Sequence, residues 1–506
     1  MTNAKYYLET FGCQMNILDS QLVEGLLRER GMAPVEDYRA ADVILFNTCS
    51  VRQHAEDKVY SRLGQVRVTK QLRPETIVGV IGCMAERVKH DLFVQAPHLD
   101  LICGPNELNA LPALLDEVRE RRTTVVALSG KNARRRSQGY DELEALDQSR
   151  SPALEGGVLQ SYVRVQRGCD KFCSYCVVPF TRGPERSRPP AAVVEEVRRL
   201  AEYGCREVTL LGQTVNSYIH QSDGVATTFA RLLERVHEVE GVDRIRFVTS
   251  YPSDWDEDIF RVMRDYPRIM PYLHIPAQSG SNRVLKAMRR TYTAEGYLEL
   301  MDTARRYVPD IALAGDFIVG FCGETEDEFR KTVDFVRRIQ YESLFIFKYS
   351  SRPGTRAERA DEDNVPAEVK ARRNNELLAV QNEIGEAHKR RMIGSEVEVL
   401  VEGLSKAQRK ARGEQRSQQR TRGKHSPSIG KSRRKPANDQ PAAPHDAEPE
   451  SIVQLVGRTS GDATAVFEGS DNLIGALVNL RIENASPHTL FGKVTKIISP
   501  PRVDKP

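Results

Sequence analysis

The sequence predicts an α/β protein built from three parts, and the arrangement of its apolar segments indicates this class. Apolar segments alternate with helix-patterned segments through residues 1–128 and again through residues 158–390, whereas residues 391–500 contain mainly strand-like segments. Alternation of strands with helices is typical of parallel sheets. The 506 residues, 40% of them apolar, suffice for roughly three domains. We therefore expect a small doubly wound parallel sheet, a central partial barrel and a small C-terminal β-barrel, with residues 129–157 as a polar linker.

The two parallel sheets are predicted from short apolar segments. In the N-terminal part these are Tyr6–Leu8, Val43–Phe46, Ile77–Ile81 and Leu99–Ile102, with helix patterns such as Leu18–Arg30 and Asn106–Arg121 between them. The six candidate strands of the central part are Tyr162–Gln166, Glu207–Leu211, Arg244–Thr249, Pro271–Ile275, Ile311–Val319 and Leu344–Lys348. Six βα units fall short of the eight in a closed barrel, so we expect an open, partial (βα)6 barrel.

The C-terminal β-barrel is predicted after a long charged helix, Pro366–Met392. Its five strand-like segments are Glu396–Val401, Ile452–Arg458, Ala463–Phe467, Ala476–Ile482 and Leu490–Ile498. Residues 405–450 interrupt the barrel after its first strand, with twelve Lys and Arg against five Asp and Glu and almost no aromatic residues. We expect this basic insertion to be disordered, because it has too little apolar surface to bury.

The cysteine content and the apolar runs bound the class of protein. No apolar run approaches the ~18 residues of a membrane span, and the first residues lack the pattern of a secretory signal. The nine cysteines all lie within the first 322 residues, and their number is odd. We therefore expect metal ligands in a cytoplasmic protein rather than a disulfide framework. Nothing in the sequence indicates a subunit interface, so we expect a monomer.

The strongest motif is the C-x3-C-x2-C run formed by Cys169, Cys173 and Cys176, directly after the first predicted barrel strand. Three thiolates on one tight loop can hold three corners of a [4Fe–4S] cluster and leave one iron open to a small molecule. A zinc site and three structural cysteines are the alternatives. Zinc favours paired C-x2-C units with four ligands, so the spacing favours the cluster.

Cys13, Cys49 and Cys83 form a second set, because each directly follows a predicted strand. The carboxyl ends of parallel strands share one edge of the sheet, where such folds bind ligands. The sequence therefore predicts a second three-cysteine cluster; the alternative is three small buried hydrophobic residues. The other three cysteines belong to neither set and are predicted to be structural. They are Cys103, Cys205 and Cys322, of which Cys322 lies in a loop on the active edge.

Polar, glycine-rich segments follow the later barrel strands, on the face where barrel enzymes build their active sites. They are Gly212–Asn216, Ser250–Pro252, Gln278–Ser281, Gly320–Glu324 and Ser350–Thr355. Each segment alone is weak, since Gly and Ser are ordinary turn residues. Five of them on the edge that carries the cysteine loop predict a binding site.

The cysteine motifs and the loop segments of this sequence resemble those of a known enzyme family. The Cys169–Cys176 loop resembles the radical S-adenosylmethionine (SAM) signature, with Tyr175 as the aromatic residue before the last cysteine. From about Lys5 to Lys496 the chain resembles the methylthiotransferase family, which has an N-terminal three-cysteine domain, a radical SAM barrel and a C-terminal TRAM domain. Four segments resemble the MiaB branch of this family. They are TFGCQMN at Thr10–Asn16, the segment from Arg167 to Pro189, LGQTVNSY and HIPAQSGS. One departure is Cys322, where the family pattern usually has proline.

The resemblance implies an enzyme that transfers a methylthio group to C2 of N6-isopentenyladenosine at position 37 of the tRNA anticodon loop. It implies two [4Fe–4S] clusters and SAM as cofactors, two SAM molecules per reaction, and a reductant protein as a partner. Cys169, Cys173 and Cys176 would hold the cluster that cleaves SAM, and Cys13, Cys49 and Cys83 an auxiliary cluster that supplies or carries sulfur. The predicted SAM contacts are Tyr175, Gly212, Gln213, Gln278 and Ser279.

Three further expectations concern RNA and the competing classes. The TRAM-like barrel is expected to bind tRNA, and the basic insertion to add salt-dependent affinity or to be inert. Arg182, Arg186 and Arg188 are predicted either to contact phosphate or to form a solvated basic turn. The alternatives to the function are a sister methylthiotransferase acting on threonylcarbamoyl-adenosine or a ribosomal-protein aspartate, a redox-sensing Fe–S protein that binds RNA, and a zinc module.

Overall fold

The computed structural model describes residues 3–50, 53–129, 140–150, 159–360, 362–412 and 452–502. The residues up to Ile384 form one compact unit, and Gly385–Val503 form a second. Within the described ranges, no helix is both long and apolar enough to cross a membrane.

The N-terminal part is a six-stranded parallel sheet, as the strand–helix alternation predicts. Its strands are β1 Lys5–Phe11, β2 Ala33–Pro34, β3 Val43–Thr48, β4 Ile77–Ile81, β5 Leu101–Cys103 and β6 Val125–Ala127. Its helices are α1 Gln14–Glu29, α2 Gln53–Leu72, α3 Cys83–Val88, α4 Asp91–Gln95 and α5 Leu111–Arg121. The strand order is β2-β1-β3-β4-β5-β6. Separate apolar clusters bury α1 with α5 and α2 with α4, so the sheet is doubly wound. The edge strands β2 and β6, of two and three residues, are too short for periodicity to reveal.

The predicted linker contains a helix, α6 Tyr140–Gln148, which corrects the sequence-based interpretation. Leu143 and Leu146 of α6 are buried in the apolar cluster of the N-terminal sheet. Two leucines three residues apart in an otherwise polar segment are too weak a pattern to predict a helix. The remaining parts of this segment, residues 130–139 and 151–158, lie outside the described residues.

The central part contains the six predicted strands in an open arc. The strands are β7 Gln160–Arg164, β8 Gln166–Arg167, β9 Arg186–Ser187, β10 Glu207–Leu211, β11 Ile219–Ser222, β12 Val225–Thr228, β13 Arg244–Val248, β14 Tyr272–His274, β15 Ala312–Val319 and β16 Ser343–Lys348. The parallel sheets β13-β10-β7 and β14-β15-β16 adjoin through a parallel bridge between Ile245 and Ile269. The short antiparallel ribbons β8–β9 and β11–β12 are additions that the sequence did not predict.

Helices alternate with the parallel strands of the central part, and the last two helices follow its final strand. They are α7 Val178–Thr181, α8 Pro190–Glu202, α9 Phe229–His237, α10 Glu257–Asp265, α11 Asn282–Ala287, α12 Ala294–Tyr307, α13 Glu326–Ile339, α14 Arg356–Ala360 and α15 Ala367–Arg391. Side-chain caps start several of them. Thr325 and Glu328 form a capping box on α13, and Ser281 caps α11. Such caps satisfy helix N–H groups that have no intrahelical partner.

The C-terminal unit contains the predicted five-stranded barrel, with strands β17 Glu396–Leu404, β18 Ile452–Thr459, β19 Thr464–Ser470, β20 Leu477–Ala485 and β21 Thr489–Ser499. The strand order is β17-β18-β19-β21-β20, and β17 closes the barrel against β20. The start of the basic insertion departs from the predicted disorder, because residues 406–412 are helical and the Ser405 hydroxyl accepts the Gln408 N–H at 3.1 Å. Residues 413–450 lie outside the described part of the chain.

Candidate functional site

The cysteine loop, Cys169–Cys176, begins at a position that only glycine can occupy without strain. Gly168 has φ of +66°, and a Cβ atom there would lie 1.9 Å from the carbonyl oxygen of Pro184. The next residue, Cys169, donates its backbone N–H to the carbonyl of Gly183 at 3.2 Å. Close approach of the two backbone segments therefore fixes where the first thiol of the loop lies.

The middle and the end of the cysteine loop are tied to α11 and α7. Ser174 donates its N–H to Met288 at 3.0 Å and its hydroxyl to Ala287 at 2.8 Å. The N–H of Val178 donates to Cys176 Sγ at 3.4 Å. Burial raises the pKa of Cys169 to about 12 and also raises the pKa of Cys176. Such thiols lose their protons when a metal binds them, so the donor set fits a positively charged metal group.

Arg290 connects the cysteine loop to the loop after β14, and the sequence analysis missed it. Its Nη1 donates to Cys173 Sγ at 3.3 Å, and its Nη2 donates to the Pro276 carbonyl at 2.9 Å. The same loop continues to Gln278, so Arg290 brings the cysteine loop and a predicted SAM contact to one place. An arginine in the text MRRTY carries no spacing signal that could have identified it.

The predicted SAM contacts differ in their surroundings. Gly212 lies against Gln166, whose Cβ would be 3.2 Å from a Cβ at Gly212. Gln213 is half-buried in the same loop. Gln278 has φ of +70° and is mostly buried. Ser279 is 1% exposed, and its hydroxyl accepts the Ser281 N–H at 3.1 Å, so that oxygen already serves the loop.

Tyr175 is partly buried and packs against the apolar cluster beneath the loop after β15. Its ring meets Phe321 edge-on at 6.5 Å between centroids. Cys322 is buried in the same cluster, in keeping with its predicted structural role. Cys103 and Cys205 are also buried, and the Cys205 thiol donates to the Glu207 carbonyl at 3.2 Å.

The mouth of the central arc contains buried polar atoms with no hydrogen-bond partner among the described residues. They are Gln166 Nε2, Ser250 Oγ, His274 Nδ1 and Gln278 Oε1. Buried polar groups are ordinarily paired, so their presence together fits a polar ligand that completes the set. A cavity of about 340 Å³ in the central part is bordered by Lys171, Glu185 and Asp254.

The sheet-edge cysteines, Cys13, Cys49 and Cys83, follow the adjacent strands β1, β3 and β4. The strand order reverses between β1 and β3, which is the switch point where doubly wound sheets bind ligands. Cys13 is the N-cap of α1, and Cys83 is the first residue of α3. A Cβ at Gly12 would lie 2.7 Å from Cys49 Cβ, so glycine lets the first and second of these turns meet.

Two buried asparagines support the sheet-edge cysteines from beneath. Asn16 Nδ2 donates to Asn47 Oδ1 at 3.0 Å, and Asn47 Nδ2 donates to the Asn16 carbonyl at 2.9 Å. The Cys13 thiol donates to Asn16 Oδ1 at 3.2 Å. Asn16 follows Cys13 by three residues and Asn47 precedes Cys49 by two, in CQMN and FNTC. An amide side chain two or three residues from a predicted ligand is the sequence signal that could have identified them.

The electrostatic surroundings of the sheet-edge cysteines favour negative charge at Cys13. Hydrogen bonding with Cys49 is the main cause that lowers the pKa of Cys13 to about 6, and the charge of Arg182 adds to it. Burial raises the pKa of Cys83, and the same guanidinium offsets part of that rise. A cation beside three cysteines fits a site for an anionic metal–thiolate group.

Two arginines that follow the cysteine loop, Arg182 and Arg188, are buried and bind carboxylates. This corrects both sequence-based interpretations of them, a phosphate contact and a solvated basic turn. Arg182 binds Asp19 of α1 at 2.7 Å, and Arg188 binds Glu196 at 2.7 Å. Both arginines are less than a tenth exposed, so they neither reach phosphate nor form a solvated turn. The sequence shows only a basic segment, and the tertiary partners distinguish a buried ion pair from a phosphate contact or a solvated turn. Arg186 is half-buried in β9.

The two cysteine sets belong to elements that touch. Helix α7, directly after Cys176, contacts helix α3, which starts at Cys83. Arg352, in the loop after β16, also reaches helix α2 of the N-terminal part, where its Nη1 donates to Gln53 Oε1 at 2.6 Å. Within the described residues, no three His, Cys, Asp or Glu side chains converge on a single metal ion.

Comparison with known proteins agrees with this division of the chain. Residues 163–336 match the radical SAM superfamily, and residues 5–104 match an uncharacterized protein family, UPF0004. A tRNA-2-methylthio-N(6)-dimethylallyladenosine synthase of Rhodopirellula baltica is 43% identical over 97% of this chain and 95% of that protein. The chain belongs to the tRNA-2-methylthio-N(6)-dimethylallyladenosine synthase family. The enzyme of that name from Parabacteroides distasonis is 39% identical over 97% of this chain and 95% of its own length.

Membership of this MiaB-type family confirms the resemblance drawn from the cysteine motifs, and the match to the radical SAM superfamily confirms SAM and an iron–sulfur cluster as cofactors. Among solved structures, one similar fold is that of the radical SAM methyltransferase TsrM from Kitasatospora setae. The superposition includes 71% of this chain and 77% of the TsrM chain, with 15% sequence identity and a TM-score of 0.49.

Proposed function

We propose that this chain methylthiolates C2 of N6-isopentenyladenosine at position 37 of the tRNA anticodon loop, using two SAM molecules per reaction. The observation that carries the proposal is the pairing of two three-cysteine sets. One lies on the first barrel loop and one at the switch point of the N-terminal sheet, on elements that contact each other. One cluster suffices to cleave SAM, so a second cysteine set in the same unit supports a sulfur-handling role.

The chemistry explains why a radical cofactor is needed. The C2–H bond of adenine is too weakly acidic for a side chain of ordinary pKa to remove the proton. When bound, the [4Fe–4S] cluster supplies the electron that cleaves SAM reductively, and the protein contributes position and electrostatics. We assign Cys169, Cys173 and Cys176 to this cluster, and Cys13, Cys49 and Cys83 to an auxiliary [4Fe–4S] cluster that supplies or carries the sulfur.

The residues around the barrel mouth are proposed to bind and orient SAM. Gln278 Oε1 and Gln166 Nε2, both buried without a partner among the described residues, supply an acceptor and a donor. Gly212 lies against Gln166, and Gly212 and Gln213 offer backbone groups from the same loop. Tyr175 supports the loop from its apolar cluster, and Ser279 contributes through loop geometry, since its hydroxyl is engaged.

The remaining parts of the proposal follow from the substrate. The domains are residues 1–128 for the auxiliary cluster, 158–390 for radical chemistry and 391–500 for RNA binding by the TRAM-like barrel. A target base in a single-stranded loop can be splayed out and read, which suits such an architecture. We propose that the protein acts as a cytoplasmic monomer and takes its electrons from a reductant protein.

The test is anaerobic reconstitution with iron and sulfide, followed by reaction with SAM, dithionite and isopentenylated tRNA that lacks the methylthio group. Nucleoside digestion and mass spectrometry detect the product. We expect 2-methylthio-isopentenyladenosine from the wild type, and no product from Cys13→Ala or Cys173→Ala. Cys205→Ala is the matched control, because it removes a buried thiol outside both sets and is expected to retain activity.

Two outcomes would change the proposal. Formation of 5′-deoxyadenosine with an unchanged nucleoside would retain SAM cleavage but direct attention to the sister substrates, threonylcarbamoyl-adenosine and the ribosomal-protein aspartate. Absence of both products from a brown, iron-loaded protein would favour a non-catalytic Fe–S protein that binds RNA.

A further inference from the structure

Arg290 is a half-buried cation to which the described residues supply no carboxylate. Its three nitrogen groups donate to Cys173 Sγ at 3.3 Å, to the Pro276 carbonyl at 2.9 Å and to the Tyr292 hydroxyl at 2.8 Å. None of these acceptors carries a formal charge while the cysteine is a thiol. The positive charge therefore remains uncompensated next to the cysteine loop.

Aromatic rings hold this guanidinium in place. Its central carbon lies 4.4 Å from the ring centroid of Tyr251 and 5.0 Å from that of Tyr292. The Tyr292 hydroxyl in turn donates to the Ala277 carbonyl at 2.8 Å, which fixes the ring. Arginine thus cannot easily swing away into water, and its N–H group stays directed at one cysteine sulfur.

Two other cations near the cysteine sets are paired with carboxylates. Lys171, inside the cysteine loop, forms an ion pair with Asp254, and Arg182, beside the sheet-edge set, binds Asp19. A partly desolvated charge without a counter-ion is costly. Several contacts hold the Arg290 guanidinium in place without a counter-ion, so we expect an anion to bind next to it.

We propose that Arg290 is the counter-ion of the iron–sulfur cluster bound by the cysteine loop, and that its N–H···S hydrogen bond to Cys173 raises the reduction potential of that cluster. The inference rests on the proposed function, which assigns a cluster to this loop. Net charge and hydrogen bonds to the sulfurs set the potentials of such clusters. One-electron reduction by an external low-potential donor adds a negative charge, which a fixed guanidinium at the cysteine sulfur stabilises.

The experiment compares wild type, Arg290→Gln and Arg290→Lys as full-length proteins reconstituted with iron and sulfide. Redox titration with dithionite, followed by electron paramagnetic resonance, gives the midpoint potential of each cluster. Arg290→Gln is expected to lower the equilibrium constant for reduction of one cluster about tenfold, a shift of about 59 mV to lower potential for one electron. The auxiliary cluster serves as the internal reference and should not shift. Arg290→Lys keeps the charge and should restore part of the difference.

Each result of this experiment either supports or overturns the inference about Arg290. Unchanged potentials in Arg290→Gln, with full iron content, would overturn the inference and leave the proposed function intact. If Arg290→Gln fails to hold the cluster, Arg290→Lys separates the cases: restored loading supports the counter-ion, whereas equal failure assigns Arg290 to packing alone and overturns the inference. A wild-type protein that holds no cluster on this loop would instead overturn the proposed function.

Discussion

A buried carboxylate on the helix that follows Cys13 tests how the N-terminal sheet is fixed against the barrel. Asp19, whose side chain is 1% exposed, accepts from Arg164 Nη2 at 2.5 Å and from Arg182 Nη2 at 2.7 Å. The substitution Asp19→Asn keeps the shape of the side chain and removes its charge. Arg164 would retain Asp147 at 3.2 Å, whereas Arg182 would lose the one carboxylate that the described residues give it.

The expected magnitude follows from the charge left behind. Removing one partner of a buried ion pair costs about 3–5 kcal/mol, because the remaining charge is uncompensated in a poorly solvated place. We expect Asp19→Asn to lower the free energy of unfolding of the cluster-free protein by that amount. Glu195→Gln is the matched control. Glu195 pairs with Arg198 on the surface, both side chains are more than half exposed, and such pairs contribute at most about 1 kcal/mol.

Urea unfolding measures the difference. The single tryptophan, Trp255, packs against the core of the central arc, in the same compact unit as Asp19, so its fluorescence reports the unfolding of that unit. A loss below about 1 kcal/mol, equal to that of Glu195→Gln, would mean that water reaches the Arg182 guanidinium. It would refute the view that this ion pair holds the two cysteine-bearing elements together.

Three further predictions concern the cysteine loop, the sheet edge and α13. Gly168→Ala should lower the iron content of the reconstituted protein by about half, because a Cβ atom there would lie 1.9 Å from backbone. Gly224→Ala is the control, because Gly224 has φ of +77° but open space around it, and it should leave the iron content unchanged. Equal iron contents in the two variants would contradict this prediction. In metal-free protein, iodoacetamide should alkylate Cys13 with an apparent pKa of about 6 by peptide mass spectrometry, and a midpoint near 9 would contradict the lowered pKa. Arg283 lowers the pKa of Glu328 to about 2 from 4.5, so this carboxylate stabilises the fold above pH 4.5 and progressively less toward pH 2. The difference in unfolding free energy between wild type and Glu328→Gln should therefore shrink as the pH falls through that window, and a constant difference would contradict it.

The positions of the cysteines could be predicted from the sequence because they depend on local rules. Cys169, Cys173 and Cys176 share one loop, so their spacing alone brings them together. Cys13, Cys49 and Cys83 lie far apart in sequence, but each follows a strand of one parallel sheet, and parallel strands end at one edge. Loop spacing and strand periodicity were therefore enough to place the six proposed ligands, although periodicity missed the shortest edge strands and the helix α6.

The roles of the arginines could not be predicted, because they depend on partners distant in sequence. Arg182 and Arg188 look alike in the basic text after the cysteine loop, and only the fold shows that Asp19 and Glu196 bind them. The same holds for Arg290, whose neighbours Tyr251 and Cys173 come from different loops of the arc. A charge run in a sequence states how many cations there are and does not state which of them are neutralised.

The two cysteine sets differ in how the protein treats negative charge before any metal arrives. At the sheet edge, hydrogen bonding with Cys49 and the nearby Arg182 already favour a thiolate at Cys13 near neutral pH. On the cysteine loop, burial keeps Cys169 and Cys176 protonated, and Arg290 faces the sulfur of Cys173. In the proposed function, the sheet-edge set holds a group that handles sulfur and the cysteine loop holds a group that accepts an electron, and these two tasks have different needs. The first is served by a ligand that is anionic from the start, and the second by a cation whose charge is compensated only when the cluster is present.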